Sequence, residues 1–130
     1  MAVYLLGSGK EVDLCNRIIS KSNHQISLNL AGKLTFLESS ALMKDAVMNY
    51  VNDSAPMHMA SAMNASTAAI FCSTVPEFGF GPLSDNANII QLNENLSCRP
   101  CGLHGLKKCP KNHFRCATDI NNEQLLKFVN

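Results

Sequence analysis

No stretch of this chain is apolar for anything near the roughly 20 residues that a membrane-spanning helix needs. The first residues, MAVYLLGSGKE, lack a basic start and a long apolar segment, so they do not read as a signal peptide, and the expected location is the cytosol. The Asn-x-Ser sequons at Asn52, Asn64 and Asn95 are then incidental. In a reducing compartment, six cysteines are more readily thiols or metal ligands than disulfides. Charge is sparse, 16% against 46% hydrophobic residues, which excludes a disordered chain. No internal repeat is visible, and 130 residues suit one domain with its own core. Acidic residues are absent from 98–116, where Arg99, Lys107, Lys108, Lys111 and Arg115 stand. The remainder then holds six basic and ten acidic residues, net −4, within an overall +1. A basic segment on a mildly acidic body suits an anionic partner near the C-terminal end, and the overall balance gives no reason to invoke nucleic acid.

What is present reads as alternating strands and helices. AVYLL, 2–6, is a short buried strand leading into GSGKE. Residues 11–21 place Val12, Cys15, Ile18 and Ile19 at helical spacing. Ile26 to Leu30 is a second strand, and 35–45 a helix that Thr35 caps with Glu38 as the capping-box partner. AVMNYV, 46–51, is a third strand, NDSAP opens a helix to about residue 64, and TAAIFCS, 67–73, and NIIQL, 88–92, are further strands. A last helix covers about 121–129, capped by Asn121 or Asn122. Short apolar strands between helices of about ten residues predict a Rossmann-like α/β fold, a parallel sheet with helices on both faces, spanning 1–130 as one domain. Residues 93–118 interrupt it as a long, irregular, Cys-rich and basic loop.

In such sheets ligands sit outside the carboxyl ends of the strands. Three turns fall there: 7-GSGKE-11, 52-NDSAPMH-58 and 73-STVPEFGFGP-82. The first is neither a Walker A loop nor GxGxxG, because Lys10 is followed by Glu11 and Val12. It reads as a tight strand-to-helix turn, with Glu11 favourable to the helix dipole or free for ribose hydroxyls. The second is richer. Pro56 suits a first helical turn, and Asp53 or Ser54 suits the cap. The N–H groups of 55–58, the dipole, the Ser54 hydroxyl and His58 together describe an anion site. Met57, Met59 and Met63, with Cys15 and Cys72, read as core.

Cys98, Cys101, Cys109 and Cys116 put four thiols within 19 residues. A tetrahedral zinc site, with His104 or His113 as substitutes, disulfides, and free thiols all stand open.

Three stretches, NLAGKLTFLESSALMKDA, NDSAPMHMASAM and AAIFCSTVPEFGFGP, resemble the C-terminal half of bacterial ADP-heptose:lipopolysaccharide heptosyltransferases, glycosyltransferase family 9. The segment Cys98 to Cys116 resembles the Cys-rich tail of some members, so the likeness covers about 3–120. It implies the donor half of a GT-B fold, binding an ADP-sugar with no cofactor or metal required. Carried over by position, Asp53, Ser54, Ala55 and His58 would contact the diphosphate and sugar, Leu34 with Lys33 and Thr35 would lie against the adenine, Glu11 would reach the ribose, and Thr74 with Gly81-Pro82 would border the cleft. Ala55 stands where the family has a glycine, and so does Cys72. The lipopolysaccharide core acceptor and the catalytic base would belong to an N-terminal half that this chain does not contain. Contact with the inner face of the bacterial inner membrane and self-association, through a sheet edge left without its strand, are compatible with that role.

Overall fold

The structure, a computed structural model, describes residues 1–129. It falls into two compact units, Met1–Leu42 and a second from Met43. The class is α/β with parallel strands throughout, as expected. The strands pair in two groups, however, β1–β2 in the first unit and β3–β4–β5 in the second.

In the first unit, β1 (Val3–Leu5) runs into a 3-10 turn at Gly9–Glu11 and then α1 (Val12–Lys21). β2 (Ser27–Asn29) pairs with β1, with Tyr4 opposite Leu28. Asn29 binds α1 to the sheet, its amide donating to the Val12 carbonyl at 3.0 Å and to Asn16 Oδ1 at 2.7 Å. α2 spans Phe36–Lys44. The expected capping box is present: Glu38 Oε2 accepts from the Thr35 N–H and hydroxyl, both at 2.8 Å, while the Glu38 N–H donates to Thr35 Oγ1 at 3.3 Å.

The turns at the carboxyl ends of β1 and β2 meet. The Gly32 N–H donates to the Gly7 carbonyl at 2.9 Å. Gly32 has φ +71°, and a Cβ there would lie 2.8 Å from Gly9 Cα. Only glycine fits such an approach.

The second unit is built on β3 (Asn49–Asn52), β4 (Thr67–Phe71) and β5 (Ala87–Gln91), in that spatial order. β3 starts three residues later than its apolar run. Ala46 first closes a turn on Met43, and the Asn49 side chain donates to the Met43 and Ser66 carbonyls at 2.9 and 3.0 Å. α3 (Ala55–Ala62) packs on β3 and β4, with Met57 and Ala60 fully buried. The alanines of β4, Ala68 and Ala69, are also fully buried, and these small side chains suit the close approach of helix and sheet. α3 ends before residue 64 because Asn64 adopts φ +50°, and its side chain exchanges hydrogen bonds with Asp85 at 2.8 and 2.9 Å.

The Cys-rich loop contains an unexpected short helix, α4 (Arg115–Thr118), whose Cys116 packs with Leu92 and Leu96. Cys72 and Cys98 lean on the same cluster, which gives the thiol in place of the family glycine a packing role. α5 (Asn122–Leu126) is shorter than its expected helix, and its cap is Asn121, which accepts from the Glu123 N–H at 2.9 Å. Tyr50 donates its hydroxyl to the Leu125 carbonyl, joining α5 to β3.

Candidate functional site

β3 delivers Asp53 and Ser54 to the top of the second sheet, and α3 begins one residue later. Ser54 takes the N-cap position in extended conformation, φ −163°. Its hydroxyl makes no cap bond and reaches only the Asn52 carbonyl, at 3.4 Å. Asp53 does not cap either. Its Oδ2 accepts from the Thr74 hydroxyl at 2.6 Å. The capping role expected of one or the other is therefore filled by neither side chain. Pro56 has no N–H, and Met57 donates its own to the Ser54 carbonyl at 3.0 Å, so the helix start offers fewer open amides than residues 55–58 promise.

The side chains compensate. Asp53, Ser54, Ala55 and His58 line one cleft of about 350 Å³. His58 lies in the first turn of α3, four residues after the Ser54 N-cap. Both are exposed, and Asp53 is half-buried. Val75, Phe78, Phe80, Leu103 and His104 complete the lining of the cleft. A cleft lined by a hydroxyl, an imidazole, a carboxylate and aromatic rings suits a ligand with both polar groups and ring faces.

Thr74, buried at 8% exposure, lies directly beneath, where the end of β4 turns toward Pro76–Phe78. The candidates Glu11, Lys33, Leu34 and Thr35 belong to the first unit. Glu11 is turned onto its own loop, its Oε2 accepting from the Ser8 N–H at 2.7 Å and the Ser8 hydroxyl at 2.9 Å. Those bonds, the backbone one foremost, hold its carboxyl below the ordinary value. Thr35 is engaged with Glu38, and Lys33 and Leu34 occupy the turn that Gly32 presses onto Gly9. Gly81 and Pro82 are half-buried in the segment after Phe80.

All six cysteines are free thiols, which settles the disulfide alternative in this structure. Among the described residues, no group of three or more His, Cys, Asp or Glu is placed to hold a metal ion, so the zinc alternative has no geometric support. His104 faces the cleft, and His113 Nε2 lies 3.8 Å from Cys98 Sγ. Cys109 sits in a nest of N–H groups, with Phe114 donating at 3.4 Å, and these hold its thiol below the ordinary value. Burial and then the neighbouring Cys101 and Cys109 push the Cys116 thiol up. Among the described residues no helix is long and apolar enough to cross a membrane.

Residues 1–108 match the family model for glycosyltransferase family 9 (heptosyltransferase). The chain belongs to glycosyltransferase family 9. It is 30% identical over 129 residues to lipooligosaccharide heptosyltransferase 2 of Campylobacter jejuni, covering 96% of this chain and 39% of that protein. It is 28% identical over 133 residues to lipopolysaccharide heptosyltransferase 2 of Escherichia coli, covering 98% and 36%. The chain thus spans about two fifths of the length of these curated relatives. Its fold resembles the structure of Escherichia coli ADP-heptose LPS heptosyltransferase II, with TM-score 0.65 and 25% identity over 96% of this chain and 36% of that one. It also resembles a family 9 glycosyl transferase from Veillonella parvula, TM-score 0.76 over 97% and 34%, where 17% identity speaks for the fold alone. Within the family's pattern, Asp53, Ser54, Ala55 and His58 could be singled out from the sequence. Phe78 and Phe80 are marked only as part of the 73–82 turn, and Leu103 and His104 could not be placed in the cleft, since nothing local marks them as neighbours of residue 54.

Proposed function

We propose that residues 1–130 are the donor-binding domain of an ADP-heptose:lipopolysaccharide heptosyltransferase with a GT-B fold, holding an ADP-sugar while its heptose passes with inversion to a lipopolysaccharide core acceptor. The observation that carries this is the convergence of Asp53, Ser54, Ala55 and His58 on a single cleft at the start of α3. Ser54 Oγ and the His58 ring are donors suited to phosphate oxygens, and the helix start adds its positive end. The charge that develops on the leaving diphosphate falls to these groups, with no metal required. A carboxylate repels a diphosphate, so Asp53 faces the sugar, where it accepts from hydroxyl groups. Ala55, in place of glycine, puts a methyl group on the cleft wall and makes it narrower for a phosphate. The acceptor and the base that deprotonates it are assigned to residues beyond the span of this chain. A cytoplasmic location, next to the inner face of the inner membrane, follows from the acceptor. Tyr4 and Leu28, adjacent on β1–β2 and 46% and 51% exposed, support burial of that face by self-association.

Calorimetric titration tests the reading. The 130-residue chain should bind ADP and ADP-heptose with Kd below about 1 mM, or about −4 kcal/mol. His58→Ala and Ser54→Ala should each weaken ADP binding by about tenfold to a hundredfold, as expected for a lost hydrogen bond to a charged group. No binding of either nucleotide at millimolar concentration would leave only the fold and the family.

A further inference from the structure

The basic, Cys-rich segment has no part in the donor reading above, yet it is fastened to the turn beneath the cleft. The Cys101 N–H donates to the Ser73 carbonyl at 2.8 Å. Gly105, at φ +72°, comes so close that a Cβ there would lie 2.7 Å from Ser73 Oγ. Between these two points of attachment, Leu103 and His104 line the cleft. Before them, Arg99 turns inward. Its Nε and Nη2 both donate to the Thr74 carbonyl, at 3.2 and 2.8 Å, and Nη2 also donates to Gln91 Oε1 at 2.7 Å. The positive charge that the sequence suggests for an anionic partner is, at this position, bound to a backbone carbonyl.

Two donors from one planar guanidinium fix the orientation of that carbonyl. Gln91 closes β5, so the fork also ties the ends of β4 and β5 together. Threonine is stiff at χ1, so fixing the Thr74 backbone fixes its hydroxyl. That hydroxyl donates to Asp53 Oδ2 at 2.6 Å, and Asp53 Oδ1 has no hydrogen-bond partner among the described residues. One carboxylate oxygen is held by the protein and the other is open for a ligand.

We infer that Arg99 is a positioning residue for the donor cleft: through Thr74 it holds the Asp53 carboxylate in the orientation that accepts the donor sugar. The inference rests on the donor-site reading and assigns the Cys-rich segment a part in sugar recognition. Arg99 does not touch the diphosphate in this scheme, so its loss affects the sugar-bearing ligand selectively.

The experiment is calorimetric titration of the 130-residue chain with ADP and with ADP-heptose, each variant first checked for folding by circular dichroism. Arg99→Ala should weaken ADP-heptose about tenfold, the factor that corresponds to about 1.4 kcal/mol, and ADP by less than about twofold. Arg99→Lys keeps the charge without the fork and should show the same selectivity, which preserves the test if Arg99→Ala does not fold. Thr74→Val should match Arg99→Ala, and Thr74→Ser should recover most of the lost affinity. In an Asp53→Asn background, Arg99→Ala should add no further loss, because both act on the same carboxylate. Equal weakening of ADP and ADP-heptose, or full additivity with Asp53→Asn, would make Arg99 a structural residue only and overturn the inference. If the unmodified chain bound neither nucleotide, the donor-site reading itself would fall, and this inference with it.

Discussion

At the scale of single residues, the molecule assigns its side chains more narrowly than local pattern suggests. Ser54 occupies the cap position but leaves its hydroxyl to the cleft, and Asp53 is oriented by Thr74 rather than by α3. Both could do so because Pro56 and the Met57 N–H already settle part of the helix start. Glycines show the same specificity. Gly32 combines φ +71° with backbone contact at Gly9, whereas Gly79 has φ +89° and open space around its Cα. Gly32→Ala should therefore destabilise by about 1–3 kcal/mol through conformational strain, with a steric cost added to it. Gly79→Ala carries the conformational cost alone and should lose less in a chemical denaturation series. Equal losses would show that the Gly9–Gly32 approach relaxes freely. The candidate cleft was only partly legible in the sequence, for a reason of chain order. A helix start with Pro, small residues and His is written in consecutive positions, but the rest of the lining comes from residues 75–80 and 103–104, brought there by the fold.

At the scale of elements, local chemistry decides where helices begin. α2 starts at a reciprocal capping box, and the two hydrogen bonds that Glu38 accepts from Thr35 are stronger to the ionised carboxylate than to the neutral acid. The backbone bond first and the hydroxyl second hold its carboxyl below the ordinary value of 4.5. The unfolded chain binds that proton more readily than the folded one. The stabilisation is therefore complete above the ordinary value and is lost as pH falls from there through the folded value. Compared with the unmodified chain, Glu38→Gln should melt at a lower temperature at pH 7, and the gap should close on acidification below about pH 4.5. A gap that stays constant to pH 3 would mean that the carboxylate charge contributes nothing to α2. This box was legible in the sequence because it depends on residues three apart. So were the five strands, α1 and α3, whose apolar runs are short and well punctuated. The start of β3 was not legible, because the turn closed by Ala46 and the Asn49 side chain removes the first residues of its apolar run. Nor was α4, four residues long, whose position is fixed by burial of Cys116 against Leu92 and Leu96 rather than by any periodicity of its own. The two-group pairing of the strands was also hidden, because each strand is only three to five residues long and its neighbours are chosen by tertiary contacts.

At the scale of the whole molecule, the groups gathered in the cleft serve one side of the proposed reaction. Inverting sugar transfer needs charge stabilisation at the departing diphosphate and, on the opposite face of the sugar, a base for the acceptor hydroxyl. Ser54, His58 and the helix start suit the first task. Asp53, the cleft's carboxylate, has one oxygen bound to Thr74 and the other turned to the donor in the proposed scheme, which leaves it unsuited to the second. Of the remaining wall, Val75, Phe78, Phe80 and Leu103 can shape a ring face but cannot accept a proton, and His104, an imidazole that can, has no hydrogen-bond partner among the described residues to orient it as a base. Donor binding and transfer should therefore separate in this chain, which spans about two fifths of the relatives' length. Incubated with ADP-heptose and a lipopolysaccharide core oligosaccharide, the 130-residue chain should bind the donor yet form no heptosylated product above a protein-free blank, as read by mass spectrometry. Slow release of free heptose and ADP would remain compatible, since water can attack without a positioned acceptor. Repeated turnover to the heptosylated core would instead place the proton acceptor within residues 1–130, and its loss in His104→Ala with donor binding intact would identify that imidazole as the base.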